Sequence, residues 1–184
     1  MSGHNKWSQI KRQKSVTDTA RSRVFSRYAR LIALESKKAN GIISAPSLAV
    51  AITRAKAVNM PKDNIERAIA KGISKDSGNL EQVVYEAYGP SGVAILVDAL
   101  TDNKNRTTQE MKHLLLTQGI ELAPLGAASW AFTKTGGVYL PHEPLVELSE
   151  ADEERLEAIL EAIDEHDDVQ EVFTNARGYE STGD

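Results

Sequence analysis

The residues best placed to do chemistry in this 184-residue chain are cations near its N-terminus. Lys6, Lys11, Arg12 and Lys14 fall within the first 16 positions with no acid among them, and Trp7 stands beside Lys6. Lys and Arg neutralise closely spaced phosphates and release their counterions. Arg adds a planar fork that matches phosphate oxygens, and an indole can stack on an exposed base. Arg21, Arg23 and Arg27 continue the run, and Lys62 adds a further cation. The pattern points to a sugar–phosphate ligand. The competing reading is a solvated basic face, with Trp7 packed on neighbouring helices.

A second candidate is Asp102-Asn103-Lys104-Asn105-Arg106-Thr107. It joins an apolar strand to a helix start, where backbone N–H groups favour anions and Lys104 and Arg106 add charge. The alternative is simple capping by Asn103 or Asn105. From Glu143 to Glu171 there are 13 acids and a single cation, Arg155. Such a helix suits solvation, repulsion of misplaced nucleic acid, or docking of a basic protein. It lacks the spacing and central Gly of a calcium loop.

Nothing in the sequence organises catalysis. His4, His113, His142 and His166 are scattered, and there is no Cys to act as nucleophile or thiolate ligand. No phosphate-binding Gly loop, H-E-x-x-H or Gly-x-Ser-x-Gly pattern occurs. The expectation is a non-enzyme with no cofactor and no metal site. No apolar run approaches the roughly 20 residues that span a bilayer, and the N-terminus lacks a secretory h-region. A cytoplasmic protein without a membrane partner is expected.

The elements that must position these residues fall into two groups. Residues 1–76 hold 16 Lys+Arg and 5 Asp+Glu, net +11, whereas residues 77–184 hold 6 and 21, net −15. After a basic arm, three helices are predicted: from Thr17 or Asp18 to about Lys38, from Ala45-Pro46-Ser47, and from Pro61 to Gly72. Too short to stand alone, they should pack as a bundle. A linker at 77–80 follows. Strands are then predicted at Val83–Tyr88, Val93–Leu100, Ser129–Thr133, Val138–Leu140, Leu145–Leu148 and Val169–Thr174. Helices are predicted after Asn105 and after Ser149. The fold class is α+β: a basic three-helix domain (1–76) followed by an acidic ferredoxin-like sandwich (81–177) and a frayed tail (178–184).

Four segments carry a family resemblance: Gly3-His4-Asn5-Lys6-Trp7-Ser8-Gln9-Ile10-Lys11, Asn59 to Ile69, Tyr85-Glu86-Ala87-Tyr88-Gly89-Pro90, and Thr101 to Thr107. Together they resemble the YebC/PmpR family, which includes mitochondrial translational activators of cytochrome c oxidase. The resemblance implies a helical N-terminal domain, following α/β domains and no catalysis. It also implies a further α/β domain between about Phe132 and Glu143, where this chain has only Thr133 to His142. By this resemblance the protein is expected to be a DNA-binding transcriptional regulator. The alternative is an RNA- or ribosome-bound translation factor that eases elongation at stretches such as proline runs. A protein-interaction module is the third reading. DNA or ribosomal RNA is the expected partner, with the ribosome as a further one, and the oligomeric state is left open.

Overall fold

The computed structural model describes residues 6–7, 9–10, 17–75 and 78–180. The chain divides into two compact units, a helical one spanning Val16–Glu81 and an α/β one made of Gln82–Asp184 together with the N-terminal segment up to Ser15. This differs from a cut at residue 76. Trp7 and Ile10 are the large apolar residues of the first 16, and both pack into the core of the α/β unit. Burial of an indole outweighs sequence proximity to the helices. The helical unit is therefore joined to the α/β unit at both of its ends.

In the helical unit, α1 (Asp18–Lys38) starts where the Thr17 side chain accepts from the Ala20 N–H, and α2 (Pro46–Ala57) starts with Pro in its first turn. Helix α3 (Lys62–Ile73) completes the bundle. Apolar residues at helical spacing meet in one core of Ile32, Leu48, Ala51, Ile52, Ala55, Met60, Ile65 and Ala68. The α1–α3 crossing is closest at Gly72, where an added Cβ would lie 2.3 Å from the Ala33 carbonyl oxygen. Ser36, fully buried, donates its hydroxyl hydrogen to the Ile69 carbonyl at 2.8 Å.

The α/β unit is built on a four-stranded sheet in the order β3-β1-β2-β6. Its strands are β1 (Glu81–Tyr88), β2 (Ala94–Thr101), β3 (Leu122–Ala123) and β6 (Val169–Thr174). Strand β2 is buried along its whole length, as its two apolar faces predict. Its Ile95, Val97 and Ala99 share a core with Met111 and Leu115 of α4 (Lys104–Thr117) and with Leu156, Ile159, Leu160 and Ile163 of α5 (Glu150–Asp164). On the opposite face, Ala94 and Leu96 pack with Ala128, Ala131, Phe132 and Phe173.

Three local expectations change. Ser129–Ala131 is a 3-10 turn, and the hairpin consists of β4 (Phe132–Thr135) and β5 (Val138–Pro141), whose turn carries Gly136 and Gly137 at positive φ. Leu145–Leu148 is reduced to a single parallel bridge between Val146 and Ala176. The two-residue strand β3 lacked any alternation long enough to signal it. The hairpin fills the stretch where the resemblance implies an additional domain. Within the expected tail, Tyr179 is 1% exposed and part of the core.

Candidate nucleic-acid interface

The exposed cations of the helical unit lie off the buried stripes of their own helices. On α1, Arg21 is exposed, Arg23 half-buried and Arg27 buried, so the expected arginine row does not face solvent as a set. On α3, Lys62 is exposed, with its ammonium 3.6 Å from Glu66. Exposed pairs of this kind are weak and leave the charge available to a polyanion. Arg67 and Lys71 on α3, and Arg54 and Lys56 on α2, are also exposed. None of these four was among the binding residues expected from the sequence, although a signal was there. Arg54 and Lys56 flank buried Ala55, outside the Leu48–Ala51–Ile52–Ala55 stripe.

The N-terminal candidates meet a different fate. Trp7 is 5% exposed within the α/β core, so it is not an open stacking platform. The reason is a long-range contact. The Lys6 N–H donates to the Gly178 carbonyl at 2.8 Å, which holds the segment against the C-terminal strand region. The Lys6 ammonium bonds Glu153, lies 3.4 Å from Glu157, and sits over the Tyr179 ring. The Glu153 hydrogen bond, followed by one to Tyr179, pushes the Lys6 pKa well up. Tyr179 is itself pushed up to about 12, first by burial and then by its 2.6 Å hydrogen bond to Glu157. Lys11, Arg12 and Lys14 lie outside the described residues.

At the β2–α4 junction the structure shows the capping arrangement. The Asn103 side chain accepts from the Arg106 N–H at 3.1 Å. The Arg106 guanidinium lies 2.9 Å from Asp168, 3.0 Å from Asp102 and 3.8 Å from Glu110, and Asp168 above all holds it in its charged form. Asp168 also accepts from the Thr107 hydroxyl at 2.6 Å. Arg106 is exposed but has its charge paired within the fold, and Lys104 is also exposed. Asp168 is 62 positions from Arg106, so no local pattern could pair them.

Glu110, His166 and Asp168 bring their ligand atoms within 4.8 Å of one another. The hydrogen bonds argue against a cation there. His166 Nδ1 accepts from the Asp168 N–H at 3.2 Å, which leaves the proton of the neutral ring on Nε2, facing Glu110 at 3.1 Å. A metal would need that Nε2 lone pair, and Arg106 already occupies the carboxylates.

Glu86 is a buried acid that the sequence reading did not single out. Its carboxylate, 2% exposed, accepts from the N–H groups of Gly126, Ala128 and Ser129 at 2.8, 2.6 and 2.9 Å. Burial would raise its pKa, but these backbone donors outweigh it and hold the carboxyl below its ordinary value. It fixes the loop that carries exposed Leu125 and Trp130. Among the described residues no helix is long and apolar enough to cross a membrane.

Residues 5–75 match the model of the TACO1/YebC protein N-terminal domain, and residues 80–145 match that of the TACO1/YebC second and third domain. A probable transcriptional regulatory protein of Petrotoga mobilis is 43% identical over 95% of this chain and 70% of its own length. One of the same description from Lacticaseibacillus casei is 38% identical over the whole chain and 76% of its own. A crystal structure of a conserved hypothetical protein from Aquifex aeolicus superposes with a TM-score of 0.77 at 27% identity, covering 87% of this chain and 91% of that one. The helical and α/β units, in that order and over nearly the full sequence, place this chain in the TACO1/YebC family of probable transcriptional regulatory proteins.

Proposed function

We propose that the protein is a non-enzymatic, DNA-binding transcriptional regulator that grips its nucleic acid by the phosphates, through the helical unit. The observation that carries this reading is the charge of that unit. Residues 16–81 hold 12 Lys+Arg against 6 Asp+Glu, and Arg21, Arg54, Lys56, Lys62, Arg67 and Lys71 are exposed on its three helices. An excess of that size on a small bundle attracts a polyanion whatever its sequence.

A second reading, contact with RNA in the ribosome, is favoured by one feature of the same surface. The exposed cations are shared among three helices instead of gathered on one that could enter a major groove. That distribution suits recognition of backbone and shape.

The test is binding of the full chain to a promoter-length DNA duplex and to a ribosomal RNA fragment across a salt series. With about six phosphate contacts, affinity falls on the order of 10³-fold between about 50 and 200 mM salt. A flat salt response overturns the phosphate grip. Crosslinking in cells, with sequencing of the bound nucleic acid, then separates the readings. Clustered promoter sites support regulation at DNA, and a predominance of ribosomal RNA supports the second reading.

A further inference from the structure

Asp98 is the charged side chain of an otherwise uncharged β2, and the proposed phosphate grip does not use it. It is 8% exposed. Both of its carboxylate oxygens accept from the same group, the Gln82 side-chain amide, at 2.9 Å. A neutral amide hydrogen-bonds a buried charge but does not cancel it. The residue directly opposite in the β2–β6 ladder is a second acid, Glu171. Like charges in that position repel one another. An apolar pair in their place would carry neither penalty.

The sheet face that carries these two acids is the one on which the β4–β5 hairpin packs. Phe132, Val138 and Tyr139 of the hairpin meet Ala94, Leu96 and Phe173 of the sheet. The Tyr139 and Phe173 rings touch edge to face with centres 5.2 Å apart. Phe173 lies two positions along β6 from Glu171, on the same face. The Lys134 ammonium sits over the Tyr139 ring, 4.9 Å from its centre. The hairpin thus supplies a cation, β2 and β6 an acid each, and β1 the neutral Gln82 donor. Burial above all raises the Asp98 pKa; the Gln82 hydrogen bond and the Lys134 charge lower it, and Glu171 raises it.

Lifting the hairpin returns Asp98 to water and to its ordinary pKa. The covered form therefore binds the proton more tightly. Covering is favoured as pH falls through the raised pKa and opposed as pH rises through it. The hairpin has four residues in each strand, and Thr133 to Gly137 are exposed, so little of it must be broken to open it. We infer that the β4–β5 hairpin is a pH-sensitive cover on the sheet, held least firmly when Asp98 and Glu171 are both charged.

Amide hydrogen exchange of the full chain tests this, read at residues 132–141 between about pH 5 and about pH 8. Wild type is compared with Asp98→Asn, which keeps the shape of the side chain and removes its charge. The ratio of the two proteins at each pH removes the intrinsic pH dependence of exchange. At the alkaline end the hairpin amides should exchange roughly tenfold more slowly in the variant. The difference should shrink toward the acid end. Lys134→Met, at an exposed position, reads the same linkage independently. It should speed hairpin exchange most at the alkaline end, and much less when combined with Asp98→Asn. A ratio that does not change with pH overturns the inference, as does a Lys134→Met effect that is equal at all pH values. So does a hairpin that always exchanges together with β2 and β6, since it would then open only with the whole unit.

Discussion

The two units handle positive charge in opposite ways. In the α/β unit, Lys6 is held by Glu153 and Glu157, Arg106 by Asp102, Glu110 and Asp168, and Arg177 by Glu143 and Glu147. In the helical unit, cations outnumber acids two to one, and Arg54, Lys56, Lys62, Arg67 and Lys71 project from the helices. Abundance of Lys and Arg alone does not locate a nucleic-acid surface. A cation becomes a phosphate ligand only where the fold leaves its charge uncancelled.

The sharpest way to break this comparison is at Trp7. If it belongs to the core, Trp7→Ala destabilises the α/β unit by about 4 kcal/mol. Chemical denaturation would measure this, and nucleic-acid affinity per folded molecule should hold. A stable variant with lost affinity would return Trp7 to the binding surface. Gly72→Ala attacks the other unit. Its Cβ meets the Ala33 carbonyl, so α1 and α3 must separate at a cost of about 3 kcal/mol. Binding should be lost together with helical circular dichroism, because the cations lose their scaffold.

Glu86 provides a pH test confined to the α/β unit. Its folded pKa is depressed, so its stabilisation is present above the ordinary carboxylate range and is lost as pH falls through the folded pKa. Glu86→Gln should cost about 2 kcal/mol at neutral pH. The gap to wild type should close on acidification, as followed by urea midpoints at several pH values. A gap that widens in acid would contradict the bonding described. The smallest effect is expected from Arg54→Ala, Lys56→Ala and Lys71→Ala combined. Affinity for DNA and RNA should drop about tenfold, or ~1.4 kcal/mol, and the salt slope should shrink by about 3 if each residue meets one phosphate. Arg106→Ala, by contrast, should leave both unchanged.

Much of the fold is legible in the sequence. Thr17, Pro46 and Ser149 mark helix starts through capping chemistry, which is local. The apolar residues on both faces of β2, broken only by Asp98, announced a central strand. Less of the interface was legible. Arg21 and Lys62 emerge exposed, whereas Arg27 turns inward, Trp7 is buried in the α/β core, and Lys6 and Arg106, though exposed, are ion-paired within the α/β unit. The missed strand β3 and the overread Leu145–Leu148 share one cause. Pairing of such short segments depends on the partner strand more than on their own pattern.

The sequence by itself determined the family, the two-part architecture, the approximate helix starts and the gross separation of charge, because each follows from spacing and composition along the chain. Tertiary structure alone decided which cations stay uncancelled and where Trp7 resides. Lys6 and Glu153 are 147 positions apart. An ion pair or a core contact over that span is set by how the layers close on one another, which periodicity along a single segment does not encode.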